Sequence, residues 1–173
     1  MSLLTSSLVS LILEGYALPR AGVHGVAHWA RVLENGRRLE TITDGVDLDV
    51  IELFSIFHDA RRVNEAIDWG HGRRGAQLAA RLRGRAFELD DQRFALLEYA
   101  CNEHTSGKTH ADPTVEVCWD ADRLDLLRVG IKPRPSLLCT EAARRPHILD
   151  WANSKAIRIL VPDLVEQEWG LQL

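Results

Sequence analysis

The chain has 173 residues, of which 46% are hydrophobic and 27% are charged, a composition typical of a soluble globular protein with one sizeable core. Its net charge of −4 gives no reason to expect nucleic acid or an anionic membrane as a partner. No stretch reaches the ~20 apolar residues that a membrane-spanning helix needs. Three cysteines, Cys101, Cys118 and Cys139, form no CxxC pair, which favours reduced thiols and a cytoplasmic protein.

The hydrophobic pattern predicts helices along most of the chain. The N-terminal segment has leucines at helical spacing and no positive region ahead of them, which predicts an amphipathic helix rather than a signal peptide. Further helices are predicted at 26–40 (VAHWARVLENGRRLE), 46–57 (VDLDVIELFSIF), 73–84 (RRGAQLAARLRG) and 90–104 (DDQRFALLEYACNEH). Strict alternation is limited to TVEVCW (114–119) and IRILV (157–161), which are candidates for short strands.

These elements predict an all-α helical bundle of about six to eight helices. We expect a single domain over residues 1–173, with the motif-bearing core at about 20–131. The Pro-rich stretch GIKPRPS (130–136) interrupts the pattern, and a C-terminal extension at about 132–173 packs on the same body.

Histidines and aspartates fall at or near the ends of these helices. They include His24, His28, His58 followed by Asp59, His71, His104, and the closely spaced Asp120, Asp122 and Asp125. Imidazole nitrogens and carboxylates suit a divalent metal, and helical bundles build metal centres from several helices. Each residue also has an ordinary alternative: a histidine can lie over C-terminal carbonyls, and Asp120 can cap a helix.

Taken in order, these residues resemble the HD superfamily of metal-dependent phosphohydrolases. HWARV resembles the stretch of the first ligand, LFSIFHDARR the helix that carries the His-Asp pair, and DADRLD the helix of the late Asp. The resemblance covers about residues 24–131 and implies His28, His58, Asp59 and Asp122 as metal ligands on an all-α scaffold. His24 in place of His28, and Asp120 in place of Asp122, stay open.

Two further histidines extend the resemblance. HGRRGAQLA places His71, and NEHTSG places His104, where binuclear members of the superfamily carry additional ligands. The resemblance therefore implies one or two divalent ions per chain, with Mn, Fe, Ni, Co, Zn and Mg all open, and with Asp59 as the bridge if there are two.

The function implied is hydrolysis of a nucleotide or another small phosphate ester by a metal-activated water. Asp59 is expected to hold that water, and Glu65 and Asp68 are candidates for the general acid. Because guanidinium and ammonium groups bind phosphate oxygens, the candidate substrate-binding residues are Arg31, Arg61, Arg62 and Lys108.

Two other functions compete with hydrolysis. Some HD-fold proteins with a similar six-ligand order are di-iron oxygenases, and others are non-catalytic modules that bind a nucleotide. We expect a small phosphorylated substrate as the partner, without nucleic acid or membrane. The oligomeric state stays open, a homodimer included.

Overall fold

The computed structural model describes residues 2–173 and contains nine α-helices in that range. They are α1 (Ser6–Glu14), α2 (Val26–Glu40), α3 (Leu48–Phe57), α4 (His71–Leu82), α5 (Asp91–Glu103), α6 (Pro113–Arg123), α7 (Glu141–Arg144), α8 (Pro146–Ala156) and α9 (Leu164–Gln167). Two short 3₁₀ turns follow α6, at Leu126–Val129 and Pro135–Leu137. The all-α prediction is confirmed. The number of helices exceeds the expected six to eight because α7 and α9 have only four residues each.

Side-chain caps fix where several helices begin. The carboxylates of Asp47, Asp90 and Asp112 accept hydrogen bonds from backbone N–H groups in the first turns of α3, α5 and α6. Such caps satisfy N–H groups that have no partner inside the helix. Pro113 directly follows the cap of α6, at a position where a missing N–H is harmless.

The core is built around α3. Every residue from Val50 to Phe57 is buried, because α3 is packed by α2, α5 and α6 and also contacts α4. Trp29 of α2 and Trp119 of α6 are fully buried in the same core. A helix surrounded in this way needs apolar residues on all sides, which explains why most residues of α3 are apolar, whichever side they face.

Neither candidate strand forms within the described residues. TVEVCW lies inside α6, where Val115 and Val117 are both buried although they point in different directions. IRILV directly follows α8 and consists of turns and irregular backbone. The only bridge recorded in residues 2–173 is an isolated one between Arg83 and Phe87.

Two glycines bring α4 unusually close to its neighbours. A Cβ at Gly75 would overlap the backbone carbonyl of Phe57, and one at Gly72 would overlap the carbonyl of Cys101. The first turn of α4 is therefore held against the ends of α3 and α5, which is where His71 comes close to His104. No helix in residues 2–173 has both the length and the apolar character that crossing a membrane demands.

Candidate metal centre

Six side chains from five parts of the chain meet at one end of the bundle. His28 lies in the first turn of α2 and His71 begins α4, whereas His58 and His104 directly follow the last residues of α3 and α5. Asp59 and Asp122, the latter near the end of α6, complete the set. Five of the six residues are buried: His28, His58, Asp59, His71 and His104. The sequence placed these residues at helix ends, and the fold collects those ends in one place.

The first group of ligand atoms consists of His28, His58, Asp59 and Asp122. The Nε2 atom of His28 lies 3.1 Å from Nε2 of His58, 3.4 Å from Oδ1 of Asp122 and 3.6 Å from Oδ2 of Asp59. The Nε2 atom of His58 lies 3.8 Å from the same oxygens of Asp59 and Asp122. Two nitrogens and two carboxylate oxygens thus surround one point.

The second group consists of Asp59, His71 and His104. The Nε2 atoms of the two histidines are 2.8 Å apart. Oδ1 of Asp59 lies 3.2 Å from Nε2 of His71 and 3.8 Å from Nε2 of His104. Asp59 therefore directs one oxygen to each group, as a carboxylate that bridges two ions would.

The other ring nitrogen of each histidine fixes its tautomer. Nδ1 of His58, His71 and His104 lies within hydrogen-bonding distance of backbone carbonyls, those of Phe54 and Ser55, Asp68, and Cys101. Nδ1 of His28 lies 2.7 Å from the carboxylate of Asp125. Because these partners only accept hydrogen bonds, each Nδ1 carries the proton and each Nε2 presents a lone pair.

The pKa values of the histidines and of Asp59 favour the protonation states that bind a cation. Burial lowers the pKa of His28 well below its ordinary value, and it also lowers the pKa values of His71 and His104. Burial opposes ionisation of Asp59, but the positive charge of Arg62 beside it acts in the opposite direction, and the pKa of this carboxyl is held below its usual range. The neutral imidazoles and the ionised carboxylate are the forms that bind metal.

The donor set fits a divalent metal. In each of the two trios His28–His58–Asp59 and Asp59–His71–His104, one ligand atom from each residue lies within 4.8 Å of the other two. Ligands at about 2.1 Å from one ion are about 3.0–3.4 Å apart at octahedral or tetrahedral angles, close to the separations seen here. Lone pairs and carboxylate oxygens facing each other repel unless a positive charge lies between them. Four imidazoles favour a transition metal over magnesium, which prefers oxygen ligands.

The two open alternatives for the ligands lie elsewhere. Nδ1 of His24 pairs with Glu65, its ring packs edge-on against that of His28, and it belongs to neither trio. The carboxylate of Asp120 accepts hydrogen bonds from the backbone N–H groups of Cys139 and Thr140 and from the Thr140 hydroxyl. Asp120 thus anchors the C-terminal extension to α6, whereas Oδ1 of Asp122 lies 3.4 Å from Nε2 of His28.

A cavity of about 590 Å³ opens above the centre. Asp59, His71, His104 and Asp122 form part of its floor, and Arg62 and Asp68 also line it. Burial raises the pKa of Asp68, but hydrogen bonds from Arg74 and the Val63 backbone outweigh this and hold the pKa below its usual value. An ionised carboxylate is not a proton donor, so these contacts do not support Asp68 as the general acid.

Four of the residues predicted to act as general acid or to bind substrate do not line the cavity. Arg31 is buried against Asp125 and the carbonyl of Leu160, and Arg61 donates to the carbonyls of Ile12 and Ala60. Glu65 pairs with His24, which itself lines the cavity, and Lys108 is exposed outside it. Arg31 and Arg61 are therefore engaged in contacts within the protein, away from the cavity.

Sequence reasoning missed three features of the site: the role of Asp125, which it named only as one of three closely spaced acids, the basic residues of the rim, and Trp69. Asp125, three residues after Asp122 and therefore one helical turn away, orients His28. Lys132 and Arg134 are exposed on the cavity rim and make no ion pair within residues 2–173. Trp69, 84% exposed, also lines the cavity. The i, i+3 spacing was a usable signal for Asp125, whereas nothing in GIKPRPS indicates that its basic residues face the centre.

Comparison with known proteins finds no matching family model, no matching curated protein and no matching solved structure. The buried His/Asp groups and the all-helical fold are compatible with an HD-type domain.

Proposed function

We propose that this chain is an HD-type, metal-dependent phosphohydrolase that cleaves a nucleotide or another small phosphate ester. The observation that carries the proposal is the convergence of four Nε2 lone pairs and two carboxylates, with Asp59 shared between the two groups, at the floor of a cavity with a basic rim. A bound divalent ion would supply a water of lowered pKa and polarise the phosphoryl group.

The chain's own residues provide the rest of the chemistry. Asp59 lies at the junction of the two groups and is placed to orient the attacking water. Arg62 reaches the floor of the cavity, and Lys132 and Arg134 at the rim are free to bind the phosphate. A flexible ammonium and a planar guanidinium both neutralise phosphate oxygens, and the guanidinium also orients them.

The cavity also offers apolar surface to the organic part of the substrate. The side chains of Ile67, Trp69, Ile131 and Leu137 are all more than half exposed and line it. An exposed indole at a cavity mouth provides a stacking surface for a planar ring. These contacts support a phosphate ester that carries a planar ring, such as a nucleotide, over a small aliphatic ester. The three cysteines are free, which supports the expected cytoplasmic location.

A second candidate is a di-iron oxygenase, and it is favoured by the second trio of Asp59, His71 and His104. A phosphohydrolase can function with one ion, whereas activation of oxygen by two irons needs both halves of the centre. Iron content and oxygen consumption separate the two functions.

The test measures metal content and phosphate release together. Wild type, His58→Ala and His147→Ala are purified side by side, since His147 is an exposed histidine outside the centre. Metal is determined by plasma mass spectrometry, and phosphate release is assayed on nucleotides and simple esters. We expect near-stoichiometric metal and metal-dependent phosphate release in wild type and His147→Ala, and loss of both in His58→Ala.

Other outcomes are equally informative. Two irons per chain with oxygen consumption and no phosphate release would favour the oxygenase. Nucleotide binding without turnover would favour a non-catalytic module. Absence of metal in wild type, even after reconstitution with manganese, nickel or iron, would refute the proposal.

A further inference from the structure

The two halves of the metal centre differ in one respect. In the half formed by His28, His58 and Asp122, the recorded contacts between ligand atoms join acceptors only. In the other half, a guanidinium already lies among the ligand atoms: Nη1 of Arg62 is 3.2 Å from Nε2 of His71 and 3.3 Å from Oδ1 of Asp59. The second trio therefore has a positive charge of its own.

Arg62 is held firmly in this position. Its side chain is only 8% exposed, and its Nη2 donates to the carbonyl of Ala66 at 2.7 Å. The residue follows Asp59 by three positions in the turn after α3, so its head returns toward the same carboxylate. The loop at 63–70 fixes the guanidinium in place, and moving it breaks these hydrogen bonds.

A dication at the second trio would meet the guanidinium at close range. Nη1 lies within about 3.3 Å of two of the three ligand atoms that such an ion needs. Like charges at this separation repel, and the burial of Asp59 and Arg62 weakens the screening of this repulsion by water. The lone pair of His71 and one oxygen of Asp59 are also engaged as acceptors, so Arg62 competes with an ion for the same atoms.

We propose that the Arg62 guanidinium occupies the second half of the centre and makes the protein a one-ion enzyme. The tight ion binds at His28, His58, Asp59 and Asp122. A second ion binds at Asp59, His71 and His104 only when Arg62 is displaced. This inference rests on the proposed metal site and decides between the one and two ions that the ligand set allows.

The test is a manganese titration of metal-stripped protein by calorimetry and equilibrium dialysis. Wild type should bind one Mn²⁺ tightly and a second at least a hundredfold more weakly. Arg62→Met removes the charge and the donors while keeping most of the volume, and it should tighten the second site at least tenfold, or about 1.4 kcal/mol. Paramagnetic resonance should then show two spin-coupled Mn²⁺ ions.

Two variants locate the effect. Arg61→Met is the matched control, because Arg61 is the adjacent arginine and contacts backbone carbonyls of Ile12 and Ala60 instead of the trio. It should leave the second site unchanged. Adding His71→Ala to Arg62→Met should remove the second ion and keep the first.

The outcomes separate this inference from the proposed function. Two ions of similar affinity in wild type would overturn the inference whether or not Arg62→Met folds. An unchanged second site in folded Arg62→Met, or equal tightening in Arg61→Met, would also overturn it, and both results leave the proposed function intact. A wild type that binds no metal would refute the proposed function and, with it, this inference.

Discussion

Replacement of Asp125 by asparagine tests the polar network behind the metal centre. The Asp125 side chain is 1% exposed and lies 2.7 Å from Nδ1 of His28 and 2.7 and 3.0 Å from Nε and Nη2 of Arg31. Three N–H donors thus point at its two oxygens. Burial raises the pKa of this carboxyl, with Arg31 acting in the opposite direction, but three donors require an ionised acceptor at neutral pH.

The expected loss of stability follows from the hydrogen bonds that asparagine cannot accept. Its amide has one acceptor oxygen, so at least one of the donors from His28 and Arg31 faces an NH₂ group. Removing one member of a buried ion pair costs about 3–5 kcal/mol. Because Arg31 keeps its hydrogen bond to the carbonyl of Leu160, we expect the lower end, about 3 kcal/mol. For a chain of this size that loss lowers the melting temperature by about 6–12 °C.

Metal affinity should fall as well. Groups that orient a metal-binding histidine through its second nitrogen contribute about 10–100-fold to metal affinity. Urea unfolding and Mn²⁺ titration of wild type and Asp125→Asn measure both effects, with exposed Asp150→Asn as the control. The double variant Arg31→Met/Asp125→Asn removes the unpaired guanidinium and should recover part of the stability. A variant as stable as wild type would refute the role of the ion pair, and an unchanged affinity would refute the orientation of His28.

Three further predictions concern pH, packing and the cavity rim. The metal-free protein should lose stability as the pH falls below about 6.5, because His28, His71 and His104 have lowered pKa values in the fold and take up protons more readily when unfolded. Urea midpoints between pH 7.5 and 5 measure this loss. Gly75→Ala should destabilise the protein by about 1–3 kcal/mol, since the added methyl overlaps the backbone of α3, although alanine is normally the better helix former. Thermal unfolding measures it. Trp69→Ala should raise KM for aromatic phosphate esters severalfold and leave kcat nearly unchanged, as steady-state kinetics would show.

Each of these predictions has a control and a result that would contradict it. His147→Gln should retain the pH dependence because His147 is exposed, and a urea midpoint that does not change below pH 6.5 would contradict the pKa argument. Gln77→Ala, on the exposed face of the same helix as Gly75, should be nearly neutral, and a stabilising Gly75→Ala would mean that α4 can move away from α3. An equal rise in KM for glycerol phosphate would contradict stacking on Trp69.

Helices were predicted where apolar residues recur at helical spacing, the fully surrounded α3 included, whereas the start of α6 was not predicted as a helix. The predicted helix at 26–40 coincides with α2, in which the four residues that are not buried are all charged: Glu34, Arg37, Arg38 and Glu40. The alternation in TVEVCW suggested a strand, yet α6 is packed by α2, α3 and α5, so its apolar residues carry no helical period. The cap at Asp112 and Pro113 was the better signal there.

The candidate metal ligands could be predicted from the sequence, but most of the side chains that reach the cavity could not. Ligands at helix ends could be named because several ends of antiparallel helices necessarily meet at one end of a bundle. The direction in which Arg31 or Arg61 leaves its helix depends on packing against distant segments, at Leu160 and Ile12, that the local sequence does not specify. For the same reason nothing local indicated that Lys132 and Arg134 lie on the rim.

The centre also connects the C-terminal extension to the metal ligands. Asp125 holds His28 on one side and Arg31 on the other, and Arg31 in turn donates to the carbonyl of Leu160. Asp120, two residues before the ligand Asp122, holds the extension at Cys139 and Thr140. Two residues of the extension thus bind the helix that carries Asp122, and a third, Leu160, binds Arg31, which holds the Asp125 partner of His28. The extension is therefore part of what keeps His28 and Asp122 at 3.4 Å, although it supplies no ligand itself.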